Sequence, residues 1–202
     1  MDIPNTGVSY GTTWGSAVWN YENYIYIMGA KGSGSVLSRI PEAAVASGQW
    51  DFMEYWAYHD LETLVPSWIQ AGVQNGGADL NLTTLVGLPG VSEASMDFHP
   101  QMQVWYTMQI SMVRNSVELY TATNFTGPWS MQDIYSIPQP WNNQPVNRNF
   151  VTYAPKSHPE LAKENEIVFT YNVNTWGGNW RQYTAEFDQF YIPQFIRTTI
   201  LS

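Results

Sequence analysis

Short runs of β-branched and aromatic residues, each ended by a cluster of turn-forming residues, recur along most of this chain. The first four runs are Thr13–Trp19, Tyr24–Gly29, Ser35–Ile40 and Trp50–Trp56. Such runs favour half-buried strands, and the Asn, Gly, Pro and Ser residues between them favour tight turns. Pro41–Gly48 has room for one helical turn, with Pro at its start and Gly at its end. The pattern predicts an antiparallel meander of four strands.

A second meander with the same order of strands and turns follows in the middle of the chain. Its predicted strands are Ala94–Phe98, Gln103–Gln109, Ser116–Thr123 and Gln132–Ile137. The third unit has fewer predicted strands. It consists of a hairpin, Phe150–Ala154 with Ile167–Asn172, and a last strand at Gln194–Leu201.

The segment Leu61–Gly90 interrupts this repeat. It is rich in Gly and Pro and its apolar residues keep no period, so we predict a long crossing loop with a short strand near Leu80–Leu85. The chain of 202 residues is predicted to be a single domain, with blade-like units at about 13–60, 91–138 and 149–202.

Four-stranded antiparallel units that follow one another suit the blades of a β-propeller. The predicted fold class is therefore all-β and propeller-like, with about three blades. A closed propeller takes roughly 4–8 blades, so three leave the ring incomplete. Either the chain is the C-terminal part of a longer protein, or it completes a ring by self-association through an open blade edge near Thr13–Trp19.

The polar surface of this protein depends on amides and hydroxyls more than on ions. Charged residues make up 12% of the sequence and aromatic residues 15%, with ten Trp. Aromatic rings stack on the C–H faces of sugars, and amides bond their hydroxyls, so this composition suits an oligosaccharide or polysaccharide partner. The alternative is that most of these aromatic residues fill the core.

Several partners and classes are disfavoured by composition. A formal net charge of -9 repels phosphate backbones, which argues against nucleic acid. No apolar run approaches the roughly 18 residues of a membrane span, and the N-terminal residues lack the pattern of a signal peptide. There are no cysteines, which excludes disulfides and thiolate metal sites.

The hairpin of the third unit carries the strongest candidate chemistry. Its connection contains His158 and Glu160 around Pro159, which places an imidazole and a carboxylate at the end of a strand. The alternative is that these side chains only hydrogen-bond the turn that carries them. His158 would act as a general base or would orient Glu160.

A family resemblance extends over most of the chain except Leu61–Gly90. It rests on the order of five motifs, none of which is diagnostic alone: Trp14–Val18 with Tyr24–Gly29, Leu37–Pro41 with Trp50–Trp56, Gly127–Trp129, Ser157–Leu161, and Thr170–Asn174. In this order they resemble the glycosidase-type β-propeller proteins, in particular an extracellular branch from bacteria and fungi.

The resemblance implies a five-bladed ring whose inner strands present carboxylates to a central carbohydrate pocket. It also implies glycan cleavage or binding, some relatives being polysaccharide lyases, and an extracellular, secreted protein. This chain departs from the pattern by lacking the N-terminal blades, which normally contribute part of the pocket.

Glycoside hydrolysis uses two carboxyl groups, one protonated and one ionised. The predicted catalytic residues are Glu93, Glu160 and His158, because both Glu residues lie at the start of a blade. The residues predicted to bind substrate are Asp97, Tyr171, Asn174 and Trp176. No metal site or cofactor is predicted, although a cation at the propeller axis is compatible with the pattern.

Three functions remain open from the sequence. The first is a glycoside hydrolase-like enzyme acting on a polysaccharide, and the second is a noncatalytic glycan-binding or structural remnant of such a propeller. The third is a polysaccharide lyase. Measurable turnover distinguishes either enzyme from the noncatalytic remnant. The chemistry of the product distinguishes a hydrolase from a lyase.

Overall fold

A computed structural model describes residues 11–60, 62–70, 80–138, 150–175 and 192–199 of the chain. These residues form antiparallel sheets with one short α-helix and two single-turn 3-10 helices. The predicted all-β fold class is confirmed. The backbone contacts divide the chain into two compact units, Met1–Ser92 with Thr126–Trp129, and Glu93–Phe125 with Ser130–Ser202. The propeller ring and the single domain stay predictions.

The first sheet begins with a meander close to the predicted one. Its strands are β1 (Thr12–Tyr21), β2 (Tyr24–Lys31), β3 (Gly34–Pro41), β4 (Glu54–Tyr58) and β5 (Pro66–Gln70), in that spatial order, and β6 (Asn81–Leu82) pairs with β4. Helix α1 (Glu42–Ala46) lies within the predicted helical turn. A 3-10 helix at Trp50–Phe52 replaces the first half of the predicted fourth strand.

A two-residue turn fixes the register between β1 and β2. Glu22 and Asn23 have φ angles of 48° and 64°, and Tyr21 pairs with Tyr24. Two successive residues with positive φ are the mark of a type I′ turn, whose twist matches the twist of a hairpin. The strands then bury Val36, Ile40 and Tyr55 in one core with Met53.

The crossing loop was predicted only in part. Strand β5 lies within it and was missed, because its apolar residues are few and carry no alternating pattern. The later part of the segment returns to β3, where Leu85 N–H donates to the Ser35 carbonyl at 2.8 Å and Ser35 N–H donates to the Leu88 carbonyl at 3.2 Å. These bonds hold the loop along the start of β3.

The second unit contains two smaller sheets. One is the meander β7 (Asp97–His99), β8 (Val104–Ser111), β9 (Ser116–Ala122) and β10 (Ser130–Ser136). The other contains β11 (Phe150–Ser157), β12 (Glu166–Thr175) and β13 (Gln194–Thr199), with a 3-10 helix at Pro159–Leu161. The two sheets share one core that includes Tyr106, Met108, Phe169 and Tyr171.

The described helices are short. None has the length and apolar character needed to cross a bilayer.

Candidate functional site

A bulge in β11 sets the direction of the side chains that follow it. Tyr153 pairs with Asn172 and Lys156 pairs with Thr170, so β11 uses three steps where β12 uses two. Ala154, inside the bulge, has a φ angle of 51°. One extra residue exchanges the two faces of a strand, so the bulge decides which face Ser157 occupies.

Ser157 is the centre of a hydroxyl cluster. Its backbone N–H donates to Ser95 Oγ at 2.9 Å, its own Oγ lies 2.5 Å from Ser95 Oγ, and its hydroxyl donates to Asp97 Oδ2. When Asp97 is ionised it can only accept, so the Ser157 proton is given to Asp97 and the Ser95 hydroxyl is the donor of the bond between the two serines. Proton donation therefore runs from Ser95 to Ser157 to Asp97.

Asp97 is held in an environment that favours its neutral form. Burial raises the pKa of the Asp97 carboxyl group, and the charge of Glu160 raises it further. The bond from Ser157 and the charge of His158 lower the pKa, but the net shift is upward. A carboxyl group of this kind is suited to give up a proton, as a general acid must.

Tyr106 lies beside this carboxyl group. It is directly opposite Asp97 in the register of β7 and β8, it is 3% exposed, and its hydroxyl hydrogen-bonds with Ser157. Burial and the negative charge of Asp97 raise the pKa of Tyr106 far above its usual range. The phenol therefore stays protonated next to Asp97.

His158 links a carboxylate to a hydroxyl at the end of β11. Its Nδ1 lies 3.2 Å from Glu160 Oε1, and its Nε2 lies 3.0 Å from Thr170 Oγ1. The ring stacks on Phe195 at a centroid distance of 6.0 Å. If Glu160 accepts from Nδ1–H, Nε2 of the neutral ring accepts from Thr170. The side chain of Glu160 remains 64% exposed, so solvent reaches its carboxylate.

A small cavity of about 130 Å³ adjoins these residues. Tyr106, Phe98, His99 and Pro159 are among the residues that line it. Its lining is both aromatic and polar, and its volume is below the roughly 300–1,000 Å³ of small-molecule sites.

The predicted site residues are only partly brought together. Asp97, His158 and Glu160 interact electrostatically, whereas Glu93 is exposed in the irregular segment before β7. Trp176 lies outside the described residues.

Two further residues predicted to bind substrate lie apart from the hydroxyl cluster, and their role stays a prediction. Tyr171 is 1% exposed and belongs to the core, where its ring contacts Tyr135. Asn174 pairs with Val151, and Phe169 of the same strand pairs with Ser157. Asn174 therefore lies five positions along β12 from the residue opposite Ser157. At roughly 3.3 Å per residue, this is about 16 Å from the cluster.

Sequence reasoning missed four residues of the site: Ser95, Tyr106, Ser157 and Thr170. Strand register and a bulge bring these side chains into the site, and residue type predicts neither of them. The position of Ser157 directly before His158 was the available signal. Within the described ranges, no three His, Asp or Glu side chains gather as a possible metal site. The cation at the propeller axis stays a prediction.

The fold and the site define an all-β protein with a polar, carboxyl-containing site on its last two sheets. The chain belongs to the family described as "Domain of unknown function (DUF5005)", whose model matches residues 2–199. No curated protein matches it.

A solved structure of similar fold comes from Bacteroides ovatus and is described as a "putative hydrolase". The match has a TM-score of 0.63 and 20% sequence identity, and covers 90% of this chain. The chain spans 43% of the length of that protein. At this identity the likeness shows the fold alone.

Proposed function

We propose that this protein is a glycoside hydrolase-like enzyme in which Asp97 is the general acid and Glu160 the ionised partner carboxylate. The observation that carries the proposal is the environment of Asp97, whose pKa is raised by burial and by the charge of Glu160. Two carboxyl groups with different environments are what acid-assisted glycoside cleavage requires.

The surroundings of the pair support this assignment. Glu160 is largely exposed and lies 3.2 Å from His158 Nδ1, which suits a carboxylate that faces a substrate. Phe98 lines the adjoining cavity, is 39% exposed and offers its ring to a sugar. The fold shared with the Bacteroides ovatus protein described as a "putative hydrolase" supports a proposal of hydrolytic chemistry, and the amide-rich, aromatic composition supports a glycan substrate. The extracellular location stays a prediction.

The test measures turnover on a panel of neutral and acidic polysaccharides. The release of reducing ends is the readout. We expect Asp97→Asn and Glu160→Gln each to lower kcat by about 10²–10⁴-fold, because an amide keeps the shape but transfers no proton. Glu93→Gln is the matched control, because Glu93 was the carboxylate first expected to partner Glu160, and it should retain wild-type turnover. Circular dichroism of each variant checks the fold.

Three results would contradict the proposal. Near-normal turnover in Asp97→Asn would remove Asp97 as the acid. An unsaturated product, detected by its ultraviolet absorbance, would assign a lyase with His158 as the base. Saturable oligosaccharide binding by the wild-type protein without turnover would assign a glycan-binding module.

A further inference from the structure

The first sheet contains a second concave site, unrelated to the carboxyl cluster. It is a cavity of about 460 Å³, with Trp14 of β1, Ile27 of β2 and Trp50 of the 3-10 helix among its lining residues. None of the described residues that line it is charged. Its volume falls within the roughly 300–1,000 Å³ of small-molecule sites, which are mostly apolar with a few placed polar groups.

Two hydroxyl groups supply those polar positions. Ser38 and Tyr55 pair directly across β3 and β4, both are 2% exposed, and both line the cavity. The Ser38 hydroxyl donates to the Ile27 carbonyl over a long 3.4 Å. Within the part of the chain that the structure describes, nothing hydrogen-bonds the Tyr55 hydroxyl. This hydroxyl is therefore available to donate a hydrogen bond to an acceptor in the cavity.

The chemistry of the lining limits what would bind. Because no charged group is available, a charged ligand would lose its hydration without compensation. Burial raises the pKa of Tyr55 to about 12, so the phenol stays protonated and can donate. Trp14 lies beside Tyr55, with ring centroids 5.7 Å apart, and together with Trp50 it offers an aromatic surface next to the donor.

We propose that this cavity binds an uncharged, largely apolar ring compound that carries one hydrogen-bond-accepting oxygen. The ring lies against Trp14 and Trp50, and the oxygen accepts a hydrogen bond from the Tyr55 hydroxyl. The proposal does not depend on the glycosidase assignment, since it uses residues of the other unit.

The experiment uses two probes of nearly the same shape, 2-acetonaphthalene and 2-ethylnaphthalene. Both are titrated into the full chain while tryptophan fluorescence is followed. We expect saturable binding of both, with the ketone tighter by about 2- to 12-fold, the range given by one net hydrogen bond. Equal affinities, or no saturable binding of either probe, would overturn the proposal.

A pair of variants assigns the hydrogen bond. Tyr55→Phe removes only the hydroxyl and should abolish the preference for the ketone while leaving the hydrocarbon bound as before. Tyr58→Phe is the matched control, since Tyr58 lies on the same strand but does not line the cavity. A preference that survives in Tyr55→Phe would overturn the assignment. Sedimentation showing a dimer that excludes both probes would instead assign the surface to a second copy.

Discussion

Asp97 and Tyr106 lie directly opposite each other on the antiparallel strands β7 and β8. The buried phenol has Asp97 beside it, and burial is the largest cause that raises the pKa of each group. This pairing places a carboxyl group with a raised pKa next to a protonated phenol at one end of the site. The first two predictions follow from it.

The first prediction concerns stability against pH. Since the pKa of Asp97 is higher in the folded protein than in the unfolded chain, the folded state binds this proton more tightly. The contribution of Asp97 to stability is therefore fully present below the unfolded pKa of about 3.9 and is lost as pH rises through the folded pKa. The free energy of unfolding of wild type minus that of Asp97→Asn should fall through this window. A difference that stays constant in urea titrations across the acidic range would contradict the shift.

The second prediction separates the two serines. Ser157 donates to Asp97 and stabilises its ionised form, whereas Ser95 bonds Ser157. Ser157→Ala should raise the pKa of Asp97 further, and Ser95→Ala should change it less. Carbon-13 NMR titration of the Asp97 carboxyl group measures both. An equal shift in the two variants would show that the direction of donation described above is wrong.

Much of the fold could be predicted from local residue patterns. The strands of the first meander, the helical turn at α1 and the hairpin that carries His158 and Glu160 follow from runs of strand-forming residues between turn residues. Strand β5 could not be predicted in this way, because its pairing with β4 and not its own sequence pattern makes it a strand.

The site was less predictable because it depends on register. Asp97 and Ser157 are sixty residues apart, and their contact requires the bulge at Ala154, which no residue type announces. The same limit explains why the burial of Tyr171 was not predicted. Its strand could be recognised from the sequence, but the face of the strand that is buried could not. Residue type identified Glu160 and His158 correctly as neighbours, since both belong to one short connection.

The third prediction compares two glycines with positive φ. A Cβ on Gly87 would lie 2.3 Å from the Trp129 carbonyl oxygen, whereas a Cβ on Gly48 would meet nothing within 4 Å. Their φ angles are 82° and 70°. Gly48→Ala should cost about 1–2 kcal/mol of unfolding free energy from backbone strain alone. Gly87→Ala should cost about 1–3 kcal/mol more, because the backbone must also move. Similar midpoints in urea would contradict the close approach to Trp129.

The last prediction concerns the edge of the first sheet. Among the described strands, β1 pairs with β2 alone, so it is an edge strand of the first sheet, and edge strands are prone to pair with another chain. Val18 of β1 is 60% exposed on this strand. We expect the chain to associate reversibly, with a sedimentation coefficient that rises with concentration. Val18→Lys should shift the equilibrium towards monomer, because a charge on an edge strand opposes pairing with another chain.

The matched control for this prediction is Val113→Lys. Val113 is 93% exposed in the turn between β8 and β9, so the substitution adds the same charge to the other unit without touching β1. If only Val18→Lys weakens association, the β1 edge is the contact surface. If both variants weaken it equally, the effect does not come from the β1 edge, and it does not come from net charge either, because an added Lys lowers the excess of -9 and so reduces repulsion between copies. A wild-type chain that sediments as a monomer at all concentrations would show that the β1 edge is protected, and the predicted open edge would then be wrong.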